Sequence, residues 1–227
     1  MNGKARISIA IDGPAGAGKS TIAKIISKTL NILYLDTGAM YRAVALKAIR
    51  ESVDTLNREQ MSKLVENIDI KIAHSEDIQR IFLDGEDVTD FIRTPEVSIG
   101  ASNVATVPAV RLKMVELQRE IAKKNSVVMD GRDIGTYVLP DATLKFFLTA
   151  SVEARAIRRY NELLSKGITQ ITLEDVKKDI EYRDKNDSNR EFAPLSKAPD
   201  TIEIDTTDLT IEQVVNKIME YAKDYVC

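Results

Sequence analysis

A glycine-rich segment followed by a lysine and a serine is the part of this sequence best suited to chemistry. Residues 13–20 read Gly-Pro-Ala-Gly-Ala-Gly-Lys-Ser and fit the phosphate-binding pattern G-x-x-x-x-G-K-[ST]. Glycine lets backbone N–H groups approach a triphosphate closely, because a side chain at those positions would block it. The pattern predicts that Lys19 reaches the β- and γ-phosphates and that the Ser20 hydroxyl binds Mg²⁺. The predicted nucleotide-binding residues are Gly13, Pro14, Ala15, Gly16, Ala17, Gly18, Lys19, Ser20 and Thr21.

The segments on either side of this loop have the patterns that a phosphate-binding site requires. Residues 7–11 form a short apolar run with β-branched side chains, which is typical of a buried parallel strand. After the loop, Ile22, Ile25, Ile26 and Leu30 recur at helical spacing. A helix N-terminus at this place adds unpaired N–H donors and a favourable dipole end for anions. This context argues against the alternative of an ordinary glycine turn.

Composition restricts the remaining function classes. The chain has 227 residues and 44% hydrophobic content, enough for the core of one α/β domain with insertions. Its formal net charge of -3 argues against general binding to nucleic acid or to membrane surfaces. The only cysteine, Cys227, excludes an internal disulfide, and the lone histidine, His74, interpreted as a solvated loop residue, excludes a histidine-based triad. Without a membrane-spanning apolar stretch or a signal-peptide pattern, the sequence predicts a cytoplasmic protein.

Four more strands follow the first, and the first two of these four are of the buried type. They are predicted over residues 32–36, 127–130, 144–148 and 201–205, with helical patterns between them. Short buried strands that alternate with helices are typical of an α/β fold with a parallel sheet.

Charged and hydroxyl side chains follow two of these strands at their carboxyl ends. Asp36, Thr37 and Arg42 come after the second strand, and Arg132 and Asp133 come after the third. Ligands bind at this edge of an open parallel sheet, so we expect both groups at one site. The simpler alternatives are a helix cap for Thr37 and a surface position for Arg42.

Two further candidates lie on predicted helices. Ser102 falls in a helix that Thr94 and Pro95 open as capping residue and first-turn proline. Arg111 lies near the start of the next helix, where a cation opposes the helix dipole. That placement favours a ligand role for Arg111 over the alternative of a solvated helix face.

Two segments depart from the pattern of the parallel sheet. Residues 62–93 contain an alternating run and an Asp84-Gly85 turn, which predict a small β-rich insertion. Residues 151–192 carry two arginine clusters around a turn at Gly167, which favours a lid over phosphates rather than salt-bridged surface helices. The clusters are Arg155, Arg158 and Arg159 on one helix, and Arg183, Asp187 and Arg190 on one face of the next.

The sequence resembles the bacterial-type cytidylate kinases, within the nucleoside monophosphate kinase family of P-loop kinases, over essentially the whole chain. The phosphate-binding loop is shared by many nucleotide-binding proteins, whereas the stretch Gly-Arg-Asp-x-Gly-Thr and the β-rich insertion are far more specific. The resemblance rests on Gly13 to Thr21, on Leu35-Asp36-Thr37-Gly38-Ala39-Met40-Tyr41-Arg42, on Asp130-Gly131-Arg132-Asp133-Ile134-Gly135-Thr136, and on Arg183-Asp184 through Asn189-Arg190 with Ala193-Pro194-Leu195.

This resemblance implies one α/β P-loop kinase domain over residues 1–227. Its expected parts are a five-stranded parallel sheet flanked by helices, a β-rich monophosphate-binding insertion over 62–93 and a helical lid over 151–192. It also implies a monomer that uses ATP and Mg²⁺ to phosphorylate CMP or dCMP.

The resemblance also assigns roles to individual residues. The acceptor phosphate falls to Arg42, Arg132 and Arg190, cytosine to Ser102, Arg111 and Asp133, and ribose to Arg183 and Asp187, with Thr37 where relatives often hold serine. For the reaction itself, we expect the catalytic residues Lys19, Arg155, Arg158 and Arg159 to offset charge on the ATP side and Arg132 to do so on the acceptor side. Lys185 and Ser188 stand where some relatives carry further arginines, so this chain departs from the family pattern there.

Residue chemistry agrees with those assignments. A carboxylate such as Asp133 accepts from the exocyclic amine of cytosine, whereas uracil presents another acceptor there. The nucleophile of the implied reaction is already anionic, so catalysis reduces to positioning and charge neutralisation. Asp36 and Asp130, both at strand ends, are candidates to hold water ligands of Mg²⁺. The alternatives are another small-molecule kinase acting on UMP, AMP or shikimate, and a nucleotide-dependent switch, although the chain lacks an Asn-Lys-x-Asp motif.

Overall fold

A five-stranded, all-parallel sheet forms the centre of the computed structural model, which describes residues 6–75 and 78–225. Along the chain the strands are β1 (Ser8–Asp12), β2 (Leu33–Asp36), β3 (Ile70–Ser75), β4 (Ile78–Leu83), β5 (Glu86–Asp87), β6 (Val127–Gly131), β7 (Leu144–Thr149) and β8 (Ile202–Asp205). The large sheet has the order β2-β6-β1-β7-β8, and each of its pairs is parallel. The predicted fold class is confirmed, and the five predicted strands are the ones that form this sheet.

Eight α-helices are present in the described part of the chain. They are α1 (Lys19–Leu30), α2 (Thr37–Arg50), α3 (Arg58–Glu66), α4 (Pro95–Val104), α5 (Pro108–Lys124), α6 (Val152–Ser165), α7 (Leu173–Asn189) and α8 (Ile211–Ala222), with short 3-10 turns at Phe91–Arg93 and Lys223–Tyr225 and a π-helical turn at Ile134–Val138. Local sequence sets several of their starts: Thr94 caps α4, and Thr172 and Thr210 each form a capping box at α7 and α8. None of the helices in residues 6–75 and 78–225 is both long enough and apolar enough to cross a bilayer.

The sheet carries a buried apolar layer on each face. Ile9 and Ile11 of β1 pack with α1 and α8 on one side, while Ala10 faces the layer formed with α2 and α5 on the other. This alternation follows from the period of two along a strand. Because both faces are covered, the exposed polar groups of the strands are concentrated at the sheet's ends, where ligands bind.

The insertion contains a second, antiparallel sheet in the order β3-β4-β5, as the alternating pattern predicted. Its helical part begins earlier than expected, since residue 62 falls inside α3. His74 lies on β3 rather than in a loop, and its Nε2 is 2.8 Å from the carbonyl oxygen of Tyr34 on edge strand β2. Gln79 of β4 bonds both the N–H (2.8 Å) and the carbonyl (3.2 Å) of Asp36. The hairpin therefore covers the open edge of β2 with side chains.

Helices α6 and α7 form a helical hairpin with a small apolar core of its own. Ala156 and Leu163 of α6 pack against Val176 and Ile180 of α7. The connection turns at Gly167, whose φ is +79°. A separate apolar core is what a unit able to move as a body would need, but the division into an insertion over 62–93 and a lid over 151–192 stays a prediction.

Candidate active site

A cavity of about 580 Å³ opens where the carboxyl ends of β1, β2 and β6 meet. Most of the side chains singled out from the sequence line it, although they come from widely separated segments. The lining includes Ala15, Gly16, Ala17, Gly18, Lys19, Ser20, Thr21, Thr37, Arg42, Ser102, Arg132, Asp133, Arg158, Arg159, Arg183, Asp187 and Arg190. The predicted residues outside this lining are Gly13, Pro14, Arg111 and Arg155.

The phosphate-binding loop is held close to the elements beneath it. A Cβ on Gly13, whose φ is +142°, would lie 2.0 Å from the carbonyl oxygen of Leu148 on β7. A Cβ on Gly16, whose φ is +78°, would lie 2.9 Å from the Cβ of Arg155. Both positions therefore require glycine for conformation and for space. The loop then leads directly into α1, whose first three residues line the cavity, so the cavity lies at the end of the helix that favours anions.

Lys19 and Ser20 stand at the start of α1 within reach of buried partners. The Lys19 ammonium donates to the carbonyl of Pro14 over 2.7 Å. Burial and the neighbouring charge of Arg132 lower the pKa of Lys19 well below its ordinary value, although the charge of Asp130 acts in the opposite direction. A bound phosphate would stabilise the charged form of Lys19, so the site favours a negatively charged ligand.

The end of β6 supplies a carboxylate beside Ser20. The Ser20 hydroxyl donates to Asp130 Oδ2, and the Tyr34 hydroxyl donates to Asp130 Oδ1, each over 2.8 Å. Burial and the charge of Asp36 raise the pKa of Asp130, so a nearby cation would be favourable. Hydroxyl and carboxylate oxygens are the donors that Mg²⁺ prefers, and the residues present therefore fit that ion.

Asp36 at the end of β2 holds two arginines. Its Oδ2 accepts from Arg42 (2.9 Å) and Arg93 (3.3 Å), while its Oδ1 caps α2 by accepting from the N–H of Ala39 (2.9 Å). Burial alone would raise the pKa of Asp36, but the two guanidinium groups more than offset it and lower that pKa. Asp36 thus faces arginines and not Ser20, on the side predicted for the acceptor phosphate.

The structure rules out the capping alternative for Thr37 and adds Arg93 to the residues of the site. Thr37 is not the cap of α2, because Asp36 fills that place and the Thr37 hydroxyl donates to the carbonyl of Asp130 over 2.7 Å. Arg93 ends the 3-10 turn that precedes α4 and lines the cavity. A lone arginine before a Thr-Pro helix start has no distinctive pattern, so sequence reasoning missed it.

Asp133 lies between two buried arginines. Its Oδ2 accepts a short hydrogen bond from Arg111, and its Oδ1 accepts from Arg190 over 3.1 Å. Arg111 is 0% exposed and its guanidinium lies 5.8 Å from the ring centres of both Tyr41 and Phe192. A solvated position for Arg111 is therefore wrong. A dry carboxylate with two fixed donors beside it suits recognition of a polar ring edge.

A second carboxylate, Asp187 of α7, pairs with Arg132 and also lies near Arg190. Arg132 Nε donates to Asp187 Oδ2 over 2.5 Å, and Arg190 lies 4.0 Å from Oδ1. These arginines hold the pKa of Asp187 below its ordinary value in spite of burial. Burial and the charge of Arg132 lower the pKa of Arg183 to about 10. Such mutual repulsion among cations makes the cavity attractive to an anion.

The arginines of α6 differ in what they contact. Arg155 is buried beneath the phosphate-binding loop, where it donates to the carbonyl of Ala15 (3.1 Å) and pairs with Asp184 of α7 (2.7 Å). Arg158 and Arg159 line the cavity, Arg158 with a bond to Thr206 Oγ1 (3.0 Å). Arg155 is therefore placed to link the loop to α7, while its neighbours on α6 are placed to meet a ligand.

Asp12, at the end of β1, joins the two halves of the site and was not singled out from the sequence. Its Oδ1 accepts from the N–H of Ile134 (2.8 Å) and its Oδ2 from the N–H of Gly135 (2.7 Å). Burial raises the pKa of Asp12 to about 7, although these two donors oppose the shift. A carboxylate immediately before Gly13 was a usable signal, because that residue must lie under the loop.

We expect Asp12→Asn to become more stable relative to the natural protein as the pH rises. The folded protein keeps the Asp12 proton up to a pKa of about 7, whereas an unperturbed carboxyl releases it near 3.8, so ionisation destabilises the fold through that window. Asparagine cannot ionise, so the melting temperature of the variant minus that of the natural protein should rise by roughly 7–14 °C between these pH values.

The amide also leaves one backbone N–H without an acceptor, a loss that is the same at every pH. Asp141→Asn makes the same chemical change at an exposed position and serves as the matched control. An Asp12→Asn difference that is flat across the window would show that the buried carboxyl does not titrate as stated.

The sheet order and the phosphate-binding loop together define a P-loop kinase fold. Among solved structures, shikimate kinase from Bacteroides thetaiotaomicron is similar, with a TM-score of 0.51, 14% identity, and coverage of 96% of this chain and 99% of that one. An uncharacterized protein from Eubacterium ventriosum ATCC 27560 also gives 0.51, at 18% identity over 97% of this chain and 99% of that one. Likeness at such identities concerns the fold alone.

Sequence comparison identifies the family within this class. The chain belongs to the cytidylate kinase family, which it matches over residues 9–224. It is 55% identical over 214 residues to a cytidylate kinase of Bacillus cereus (strain B4264), covering 94% of this chain and 95% of the relative. A cytidylate kinase of Bacillus thuringiensis (strain Al Hakam) is 54% identical with the same coverage.

Proposed function

We propose that this protein transfers the γ-phosphoryl group of ATP to CMP or dCMP, giving ADP and CDP or dCDP. The observation that carries the proposal is the buried carboxylate of Asp133, which Arg111 and Arg190 hold next to Arg132, the residue that follows β6. Family membership supports the same acceptor. We further propose that the protein acts as a cytoplasmic monomer on small-molecule nucleotides, without nucleic-acid or membrane partners.

The acceptor half of the cavity matches the parts of a cytidine monophosphate. Asp133 would accept from the exocyclic amine of cytosine, with the buried Ser102 hydroxyl nearby. Arg111 is fully buried outside the cavity lining, so it would donate to ring acceptors only after its guanidinium turns toward the cavity. Asp187 accepts from sugar hydroxyls. The positive groups for the acceptor phosphate are Arg42, Arg132 and Arg190, to which the geometry adds Arg93.

The donor half is formed by the loop, α1 and α6. Backbone N–H groups of residues 13–21 and the α1 N-terminus would cradle the ATP phosphates, and Lys19 would neutralise charge on the β- and γ-groups. Ser20 and Asp130 would hold Mg²⁺, Asp130 through its water ligands, and the ion supplies charge stabilisation on the phosphates when bound. Arg158 and Arg159 would approach the same phosphates from α6.

The main task of these side chains would be to position the two nucleotides. The acceptor phosphate oxygen is already anionic, so transfer needs no general base. Two mutually repelling anions must instead be brought into line, and arginines on both sides offset that repulsion. Enclosure by α6 and α7 would exclude water, which protects the γ-phosphoryl group from hydrolysis.

A phosphotransfer assay with ATP, Mg²⁺ and a panel of acceptors tests the proposal. CMP or dCMP should be phosphorylated with clear preference over UMP, AMP and shikimate, since a buried polar mismatch discriminates by roughly 10⁴-fold. Clear preference for another member of the panel would overturn the acceptor assignment and favour a different small-molecule kinase. Nucleotide binding without any phosphotransfer would overturn the assignment as an enzyme.

A further inference from the structure

A polar contact between α4 and α7 has no part in the roles assigned so far. Asn103, at the end of α4, is 8% exposed, and its Oδ1 accepts from the Tyr182 hydroxyl of α7 over 2.7 Å. The Asn186 Nδ2, one turn further along α7, lies 3.4 Å from the same oxygen. On its other side, Asn103 Nδ2 donates to Thr55 Oγ1 over 2.9 Å. Because Thr55 orients the carboxamide, its oxygen is presented to α7.

The side chains that make this contact form a row along α7. Tyr182 and Asn186 are four residues apart and lie on one helix face. Each is followed at once by a residue of the candidate site, Arg183 after Tyr182 and Asp187 after Asn186. Successive residues are about 100° apart around a helix, so the row that contacts α4 runs directly beside the row that faces the cavity. The contacts of Tyr182 and Asn186 with α4 therefore fix the rotation of α7 about its axis. That rotation determines where the side chains of Arg183 and Asp187 lie in the cavity.

The same contact also reaches the residue expected to meet the base. Ser102 precedes Asn103 on α4 and lines the cavity. Its Oγ lies 3.4 Å from Asn186 Nδ2. Asn186 therefore touches both Ser102 and Asn103, and α4 and α7 meet at a point that borders the acceptor half of the site and not the phosphate-binding loop.

We propose that Asn103 and Tyr182 are positioning residues for the acceptor nucleotide. Their hydrogen bond, supported by Thr55 and Asn186, holds α7 in the rotation that directs Arg183 and Asp187 to the bound acceptor. Binding of the base at α4 is therefore coupled to the orientation of α7. This inference rests on the proposed function, because it assumes that the acceptor binds against Ser102 and Asp187. Neither residue contacts the reacting atoms.

Tyr182→Phe is the variant that tests this inference, since it removes one hydroxyl from a ring that is 39% exposed and leaves the packing intact. We expect the KM for CMP to rise about two- to tenfold, the effect of losing one neutral hydrogen bond. The KM for ATP, the turnover number and the melting temperature should stay the same. Tyr221→Phe, the same change on α8 at a ring that contacts Phe146, is the matched control with no expected effect.

A double-mutant cycle separates direct coupling from a general loss of stability. Asn103→Ala alone should raise the KM for CMP further, and adding Tyr182→Phe to it should change nothing more, because the shared bond is already lost. An unchanged KM for CMP in Tyr182→Phe, a parallel rise in the KM for ATP, or fully additive effects in the cycle would each overturn the inference. If the natural protein phosphorylates another acceptor instead, the proposed function fails separately and the same KM comparison is made with that acceptor.

Discussion

Replacing Lys19 by alanine is expected to lower the turnover of phosphoryl transfer by at least about 10²–10³-fold, the usual effect of deleting one fixed group that stabilises transition-state charge. Lys19 stands buried at the start of α1, and within residues 6–75 and 78–225 its ammonium has the carbonyl of Pro14 as its one hydrogen-bond partner. Its ammonium is therefore available to a phosphate, and no other cation of the loop can replace it. A stopped or coupled assay at saturating ATP and CMP measures the loss directly.

The fold should survive this substitution, because a buried ammonium that forms no ion pair within the described residues costs desolvation free energy, which alanine does not. The far-ultraviolet circular dichroism spectrum and a melting temperature within about 5 °C of the natural protein would establish that. Lys28→Ala, an exposed position on the same helix, is the matched control and should keep full turnover. Turnover within about tenfold of the natural protein in folded Lys19→Ala would remove Lys19 from charge stabilisation.

The architecture could be predicted because its determinants are local. Strands β1, β2, β6 and β7 are mainly apolar, and β8 alternates isoleucine with acidic residues. The helix starts at Thr94, Thr172 and Thr210 each carry their own capping residue, and the loop is one continuous motif. The order of the strands does not follow from such patterns. The resemblance implied five parallel strands without their order, and only the structure gives that order.

The partners within the site could not be predicted, because they are far apart in the chain. Asp133 meets Arg111 and Arg190 from 22 and 57 positions away, and Asp12 meets Ile134 from 122 away. Single arginines are mostly solvated in folded proteins, so the complete burial of Arg111 has no signature in one sequence. The capping of α2 shows the same limit, since Asp36 and Thr37 are both good capping residues and only the structure distinguishes them.

Paired carboxylates keep the arginines of the acceptor half ready for a ligand. Asp36 holds Arg42 and Arg93, and Asp187 holds Arg132. An arginine that is already desolvated and oriented loses little further freedom when a phosphate arrives, which is the basis of electrostatic preorganisation. Removing one of these carboxylates would leave a buried charge without its partner, so isosteric amides are the informative substitutions here.

Asp133→Asn is accordingly expected to lower the ratio of kcat/KM for CMP to that for UMP by about 10²-fold or more, since buried polar mismatches carry large discrimination. A carboxylate can only accept, which suits the amine of cytosine and repels the carbonyl of uracil. The carboxamide offers an acceptor and a donor, so it can satisfy either base after a simple flip. Its oxygen can still accept from Arg111 or Arg190, which limits the damage to the pocket.

The proposed sites for ATP and for the acceptor occupy different parts of the cavity, so the Asp133→Asn substitution should affect the acceptor alone. Asp133 lies in the part of the cavity that we propose for the acceptor, so the KM for ATP should stay the same while the ratio of the two acceptors changes. Exposed Asp141→Asn makes the same chemical change outside the cavity and should leave both quantities unaltered. An Asp133→Asn protein that is folded and keeps the full preference for CMP would show that Asp133 only holds Arg111 and Arg190 in place, and base selection would then have to come from Arg111 and Ser102.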